Sequence, residues 1–258
     1  MSVLKISNLC RNFGGLAALS GVSIDIDQNE LIGLIGPNGA GKTTLFNVIT
    51  GIYEPTSGKV ELRVNNKLID ISGKNTYIIN RLGVARTFQN IRLFKEMSVI
   101  DNIKVAMNSK INYGIIHALL RTSKYYKVED EVETKAKELL AIVNLSDKAE
   151  ELAKNLSYGN QRKLEIVRAL ASSPSILFLD EPAAGMNPQE TAELTQLIKK
   201  IKQDYNLTII LIEHDMSLVM NICERIYVLD YGRCIASGSA TQIKNDKNVI
   251  KAYLGKEN

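Results

Sequence analysis

The sequence predicts an α/β fold built on a parallel sheet, and three observations carry the prediction. Short apolar runs, "ELIGLIG", "ILFLD" and "LTIILI", proceed almost without polar interruption, as strands covered on both faces do. Segments of helical periodicity separate them, so the order is strand, helix, strand, which a parallel sheet accommodates. A glycine-rich turn leaves the first run and opens directly into a helical pattern, the kind of join at which open α/β sheets bind ligands.

The elements follow in order along the chain. Val22, Ile24 and Ile26 alternate with Ser23, Asp25 and Asp27, the period of a half-buried strand. After "ELIGLIG", the stretch "KTTLFNVITG" reads as a helix stopped by Gly51, and "EPTSGKVEL" returns through a turn into a further strand. From about Asn90 to Ala153 β-branched runs become scarce, while Val132, Ala136, Leu139, Leu140 and Val143 recur at helical spacing; this is a helical insert. In "LSYGNQRKLEIVRAL" the residues Leu164, Val167 and Leu170 recur every three positions behind Ser157, which predicts a helix with Ser157 at or near its N-cap. Beyond "ILFLD", a helix opened by "NPQE" sets Leu194, Leu197, Ile198 and Ile201 on one face. "IYVLDYGRCIASG" reads as a hairpin and "ATQIKNDKNVIKAYLG" as a closing helix.

Composition narrows the function. A net charge of +4 from 32 basic and 28 acidic side chains is a solvated surface, and gives no support to a nucleic-acid partner. Cys10, Cys223 and Cys234 are odd in number and widely separated, with only His117 and His214 to assist them; a reducing, cytosolic setting is expected and a metal cage is not. "MSVLKISNLCRNF" has no apolar core of a leader, and the apolar runs fall far short of the roughly 20 residues that cross a bilayer. The chain is therefore expected neither to span a membrane nor to enter the secretory route.

Two stretches carry chemistry. Gly36, Gly41, Lys42 and Thr43 fit G-x-x-x-x-G-K-[ST] with an apolar strand before and a helix after. Glycines let the backbone wrap phosphates closely, Lys42 brings a charge to the β and γ groups, and the Thr43 hydroxyl suits magnesium. "ILFLDEP" then delivers Asp180 and Glu181 at the carboxyl end of a buried strand. Asp180 is suited to hold magnesium, and Glu181 to orient and deprotonate an attacking water. Either acid alone would read as a solvated strand end; beside a phosphate loop the pair supplies what phosphoryl transfer requires. The helix start at Ser157 is a second anion-binding end. A guanine-reading Asn-Lys-x-Asp is not met, because Asp70 lies one residue too far from Asn66 and Lys67.

With "GPNGAGKTT", "ARTFQNIRLF", "LSYGNQRK", "ILFLDEP", "AAGMNP" and "LIEHDM" in this order, the chain resembles the ATP-binding cassette (ABC) transporter ATPases over almost its whole length. The resemblance implies a P-loop NTPase (RecA-like) parallel sheet core with an N-terminal antiparallel β subdomain and an α-helical subdomain. It implies one domain over 1–258: antiparallel β and nucleotide-binding core over 1–90, helical subdomain with the signature motif over 91–160, and the rest of the core over 161–258. ATP and Mg²⁺ are the implied ligands. Gly36, Pro37, Asn38, Gly39, Ala40 and Gly41 form the implied cradle, with Lys42, Thr43 and Thr44 at the helix start. Phe13 resembles the aromatic that stacks on adenine, Gln89 the glutamine that senses magnesium and water, and His214 the histidine on the γ-phosphate. Catalysis would fall to Glu181, His214 and Lys42, and metal binding to Thr43, Gln89 and Asp180.

"LSYGN" resembles the family signature Leu-Ser-Gly-Gly-Gln, with Tyr158 in place of a glycine and Asn160 in place of the glutamine. Ser157, Tyr158, Gly159 and Asn160 are implied to close on ATP held by a second cassette, identical or paralogous, placed head to tail. The other implied partners are integral membrane permease subunits and, indirectly, a solute-binding protein, with the chain cytoplasmic and peripheral on the inner face of the cell membrane.

Finer likeness, including "NFGGLAAL" and the ending "VIKAYLG", points to the ATP-binding subunits of branched-chain amino acid importers. Related urea or amide importers, lipopolysaccharide exporters and a non-transport ABC switch protein are the alternatives. "NYGIIHALLRTSKYY" carries Ile115, Ile116, Leu119 and Leu120 at helical spacing, with Arg121, Lys124 and Lys127 following. It either packs on its own domain or receives a short helix of the membrane subunit.

Overall fold

The computed structural model describes residues 1–108, 117 and 119–254, and contains two sheets with helices around them. The expected α/β class holds, and the parallel sheet is the larger of the two. In it, β3 (Leu31–Ile35) lies between β8 (Thr208–Ile212) and β9 (Arg225–Asp230). Next to β8 come β7 (Ile176–Asp180) and then β6 (Val84–Arg86), all parallel, while β10 (Arg233–Gly238) closes the far edge antiparallel to β9. Every residue of β3, β7 and β8 is buried, which explains their uninterrupted apolar sequence. Alternate side chains serve opposite cores: Leu177 and Leu179 join one, Ile176 and Phe178 the other.

The second sheet is antiparallel, in the order β2-β1-β4-β5. Strands β1 (Ser2–Phe13) and β2 (Leu16–Asp27) form a long hairpin, β4 (Ser57–Val64) pairs with β1, and β5 (Lys67–Asp70) pairs with β4. Asn65 and Asn66 both have positive φ between β4 and β5, the backbone of a two-residue hairpin turn. The Asn66-Lys67 pair is thus turn chemistry and not a base reader. Val22, Ile24 and Ile26 point into the core beneath this sheet. There Phe46 of helix α1 (Lys42–Ile49) meets Phe178 edge to face at 4.8 Å, a pairing worth about 0.5–1.5 kcal/mol beyond its buried area.

Helix α2 (Thr76–Arg81) leads into β6, and its Ile79 joins the core of α1. On the other face of the parallel sheet lie helices α3 to α7. Helix α3 (Val99–Met107) is capped by Ser98, and α4 (Ser123–Ile142) buries Ala136, Leu139 and Leu140 as its spacing predicts. Helix α5 (Tyr158–Ala171) carries the second motif, and α6 (Pro188–Asp204) starts at a capping box between Asn187 and Glu190. Helix α7 (Met216–Ile222) is short. Leu119 and Leu120 are strongly exposed, whereas Ile115 and Ile116 lie outside the described residues. Among the described residues no helix is long and apolar enough to cross a membrane.

One element departs from expectation. The closing segment forms two helices, α8 (Ala240–Asn245) and α9 (Lys247–Leu254). Asp246 has extended backbone, and its Oδ1 accepts hydrogen bonds from the N–H groups of Asn248 and Val249. An aspartate that caps the following turn competes with continuing the preceding one.

Candidate functional site

The loop between β3 and α1 is shaped by its glycines. Gly36 (φ +149°) passes so close to the main chain of Leu229 that a Cβ there would overlap the carbonyl oxygen, and Gly41 (φ +100°) has Ala18 O at 2.7 Å from where its Cβ would stand. Only glycine fits both the dihedrals and the space. The β9–β10 turn braces the loop, since Gly232 donates its N–H to Ala40 O at 3.0 Å and accepts one from Ser20 at 2.8 Å. Lys42 is buried, and its Nζ donates to Gly36 O (2.7 Å) and Pro37 O (3.0 Å). Burial draws its pKa down, while the charges of Glu181 and Asp180 oppose that shift.

The loop floors a cleft of about 610 Å³, lined by Phe13, residues 16–18 and 38–44, Gln89, Glu181, His214, Tyr231 and Gly232. Phe13 stands at its edge, half-exposed, with Tyr53 edge-on at 5.1 Å and the Arg11 guanidinium 4.5 Å from its ring centre. Gly36 and Pro37 frame the loop without lining the cleft.

The carboxylates leave β7 in opposite directions. Asp180 is buried, with Oδ2 2.6 Å from Arg86 and Oδ1 without any hydrogen-bond partner. Glu181 takes a left-handed backbone (φ +47°), held by its N–H to Ile212 O at 2.9 Å, and turns its carboxylate into the cleft. There Gln89 Nε2 donates to Glu181 Oε2 (2.8 Å) and His214 Nε2 lies 2.8 Å from Oε1. Residues from β7, the segment after β6 and the segment after β8 thus meet at one carboxylate.

These groups suit magnesium. The orphaned Asp180 Oδ1 is a buried acceptor awaiting a donor or a cation, although Asp180 itself does not line the cleft that Thr43 faces. Gln89 spends its amide N–H on Glu181, which leaves its carbonyl oxygen as the atom for a metal. Among the described residues no three His, Cys, Asp or Glu side chains form a cage.

Ser157, Tyr158, Gly159 and Asn160 are not brought to this cleft. Ser157 does cap α5, accepting the Asn160 N–H at 3.4 Å. Gly159 packs against α6, where a Cβ would stand 2.8 Å from Glu190 Oε1.

Sequence reasoning passed over three residues around the site. Arg86 holds Asp180 and also donates to Asn47 Oδ1 (2.7 Å) and Thr50 Oγ1 (3.2 Å). Glu213 is buried and braces the neighbouring loops by accepting the N–H groups of Ala183 and His214; its pKa is raised by that burial. Tyr231 lines the cleft, strongly exposed and with positive φ. A Tyr-Gly turn between two apolar strands was its only signal.

Comparison with known proteins adds the following. The family model described as ABC transporter matches residues 19–184, and one described as branched-chain amino acid ATP-binding cassette transporter matches 233–257. The chain is 46% identical over 253 residues to the high-affinity branched-chain amino acid transport ATP-binding protein LivG of Escherichia coli (strain K12), covering 98% of each. It is 45% identical over 253 residues to the corresponding BraF of Pseudomonas aeruginosa, again covering 98% of each. A solved structure of similar fold is the ADP conformation of MJ1267, an ATP-binding cassette of an ABC transporter, with TM-score 0.83, 33% identity and coverage of 99% of this chain and 100% of that one.

Proposed function

We propose that this chain, which belongs to the ABC transporter family of ATPases, powers the import of branched-chain or other hydrophobic amino acids. The observation that carries the mechanism is the Glu181 carboxylate fixed between Gln89 and His214 at the mouth of the glycine loop. The solute assignment rests on the relatives and on the match at residues 233–257, since no residue of a cytoplasmic ATPase meets the solute.

In this reading the triphosphate lies along Gly36 to Thr44, with adenine against Phe13. Lys42 turns from the carbonyls of Gly36 and Pro37 to the β and γ oxygens. Thr43, Gln89 and Asp180 would hold magnesium, which when bound would offset the charge of the phosphates. Glu181 orients a water and takes its proton as the oxygen attacks the γ-phosphorus; the bond to the β-bridging oxygen breaks, leaving ADP and phosphate. Gln89 and His214 keep the carboxylate aimed, and His214 also reaches the γ-phosphate.

Ser157 to Asn160 stand apart from their own cleft, so each nucleotide takes its second wall from another cassette, identical or paralogous. Closure then depends on the γ-phosphate, and its loss releases the pair; ATP shifts the equilibrium by that differential affinity alone. Membrane permease subunits convert closure into transport from the cytoplasmic face, and a solute-binding protein delivers the cargo.

Glu181→Gln tests the reading. Turnover should fall by about 10² to 10⁴, and size measurement should show dimers with ATP and monomers without. A variant that stays monomeric with ATP overturns the sandwich. Leucine uptake that is unchanged after deletion of the gene overturns the solute assignment.

A further inference from the structure

Arg162 is fully buried in the second turn of α5, and the residues it holds are not on its own helix alone. Its NH1 donates to Phe88 O (2.6 Å) and Glu165 Oε2 (2.9 Å), and its NH2 to Gln89 O (2.7 Å) and the Tyr158 hydroxyl (3.2 Å). Glu165, equally buried, accepts the N–H groups of Phe88 (3.4 Å) and Arg92 (3.1 Å) through Oε1. One ion pair thus grips both the carbonyls and the amides of the segment that presents Gln89.

A buried ion pair is a poor source of net stability, because desolvating two charges offsets most of their attraction. A planar guanidinium with several fixed donors is instead suited to setting a geometry. The segment it sets is the one whose side chain reaches Glu181. The fourth acceptor, Tyr158, is half-exposed, and its ring lies against the backbone of Gly185, whose added Cβ would stand 3.5 Å from Tyr158 Cε1. Tyr158 belongs to the motif that departs from the family signature; its hydroxyl accepts the hydrogen bond from Arg162, whose guanidinium also stands 5.9 Å from the ring centre.

We propose that Arg162 and Glu165 are positioning residues for Gln89, and that the Tyr158 hydroxyl links that position to the face where the second cassette docks. Contact of a partner's nucleotide with the start of α5 then bears on the tyrosine, the guanidinium and the Gln89 carbonyl in turn, and so on the aim of Glu181. The link to the partner rests on the sandwich reading above; the hold on Gln89 does not.

The test uses Tyr158→Phe, which keeps the ring against Gly185 and deletes one oxygen. Its kcat should fall by about three- to tenfold, the scale of one ordinary net hydrogen bond, with KM for ATP and thermal midpoint unchanged. In a Gln89→Ala background the same substitution should cost nothing further, because the residue through which it acts is gone. Wild-type kcat, or the same loss repeated in the Gln89→Ala background, overturns the inference. The double variant Glu181→Gln, Tyr158→Phe should still form dimers with ATP; if it fails where Glu181→Gln succeeds, the hydroxyl acts in the interface and the positioning role is refuted. Failure of Glu181→Gln itself to dimerise refutes the sandwich and leaves the kcat comparison standing as the test of the hold on Gln89.

Discussion

His214 Nε2 stands 2.8 Å from Glu181 Oε1, and the other oxygen of that carboxylate is held by Gln89 at 2.8 Å. A carboxylate has about four lone-pair sites, and one bond to each oxygen leaves one site on each from which to accept a proton. If Glu181 is the base, as proposed above, its aim is built from three segments of chain, and removing one grip loosens it without removing the carboxylate.

His214→Ala should accordingly lower kcat by at least about tenfold, toward the range of a lost general base, with ATP binding retained within a few-fold. His214→Gln, which can still donate to Oε1, should recover part of the loss. Steady-state kinetics with separate nucleotide binding checks this, and equal activity of the alanine and glutamine variants would show that the contact does not aim Glu181.

Arg86 and Asp180 are both buried and 2.6 Å apart. Arg86→Met leaves a carboxylate in the core without its counter-charge, at a cost of about 3–5 kcal/mol, and the thermal midpoint should fall by roughly 6–20 °C. Arg86→Met combined with Asp180→Asn should melt above the single variant, because the stranded charge is gone. Calorimetry of the two settles the point; a double variant less stable than the single would assign the loss to packing of the Arg86 side chain on Phe46 and Phe88.

Cys223 is buried and its thiol is pushed up to about 12 by that burial, with the charge of Glu224 adding to the shift. At pH 8 its thiolate fraction is about 10⁻⁴, and the thiolate is the reactive form. Thiol labelling of the native protein should leave Cys223 unmodified, and denaturant should expose it. Mass spectrometry of the labelled peptides reads the result, and rapid native labelling of Cys223 would contradict its placement.

The phosphate loop and the strand ends were legible because each needs particular residue types at fixed spacing. Gly36 and Gly41 answer to backbone crowding, and Asp180 and Glu181 close an apolar run. Arg162 and Glu165 escaped notice for the opposite reason. Three residues apart on a helix, they have the spacing of an ordinary surface pair, and nothing local says that the segment around Phe88 folds over them. Arg86 was hidden in the same way, since its partner lies 94 residues on. The break at Asp246 was written in a residue that caps helices, yet the apolar positions on either side keep a helical period that masks it. Strand β1 went unmarked because its buried positions, Val3, Leu4, Ile6 and Leu9, do not alternate cleanly, and its register with β2 shifts along its length.

The two carbonyl contacts of Lys42 bear on how fast the cradle can exchange its guest. An ammonium with acceptors of its own has already given up most of its water, so an arriving anion trades one oxygen for another without first stripping the cation bare. That swap keeps the loop's shape on both sides of the exchange, and a motor that must release ADP and reload on every stroke gains from a seat that need not be rebuilt each time.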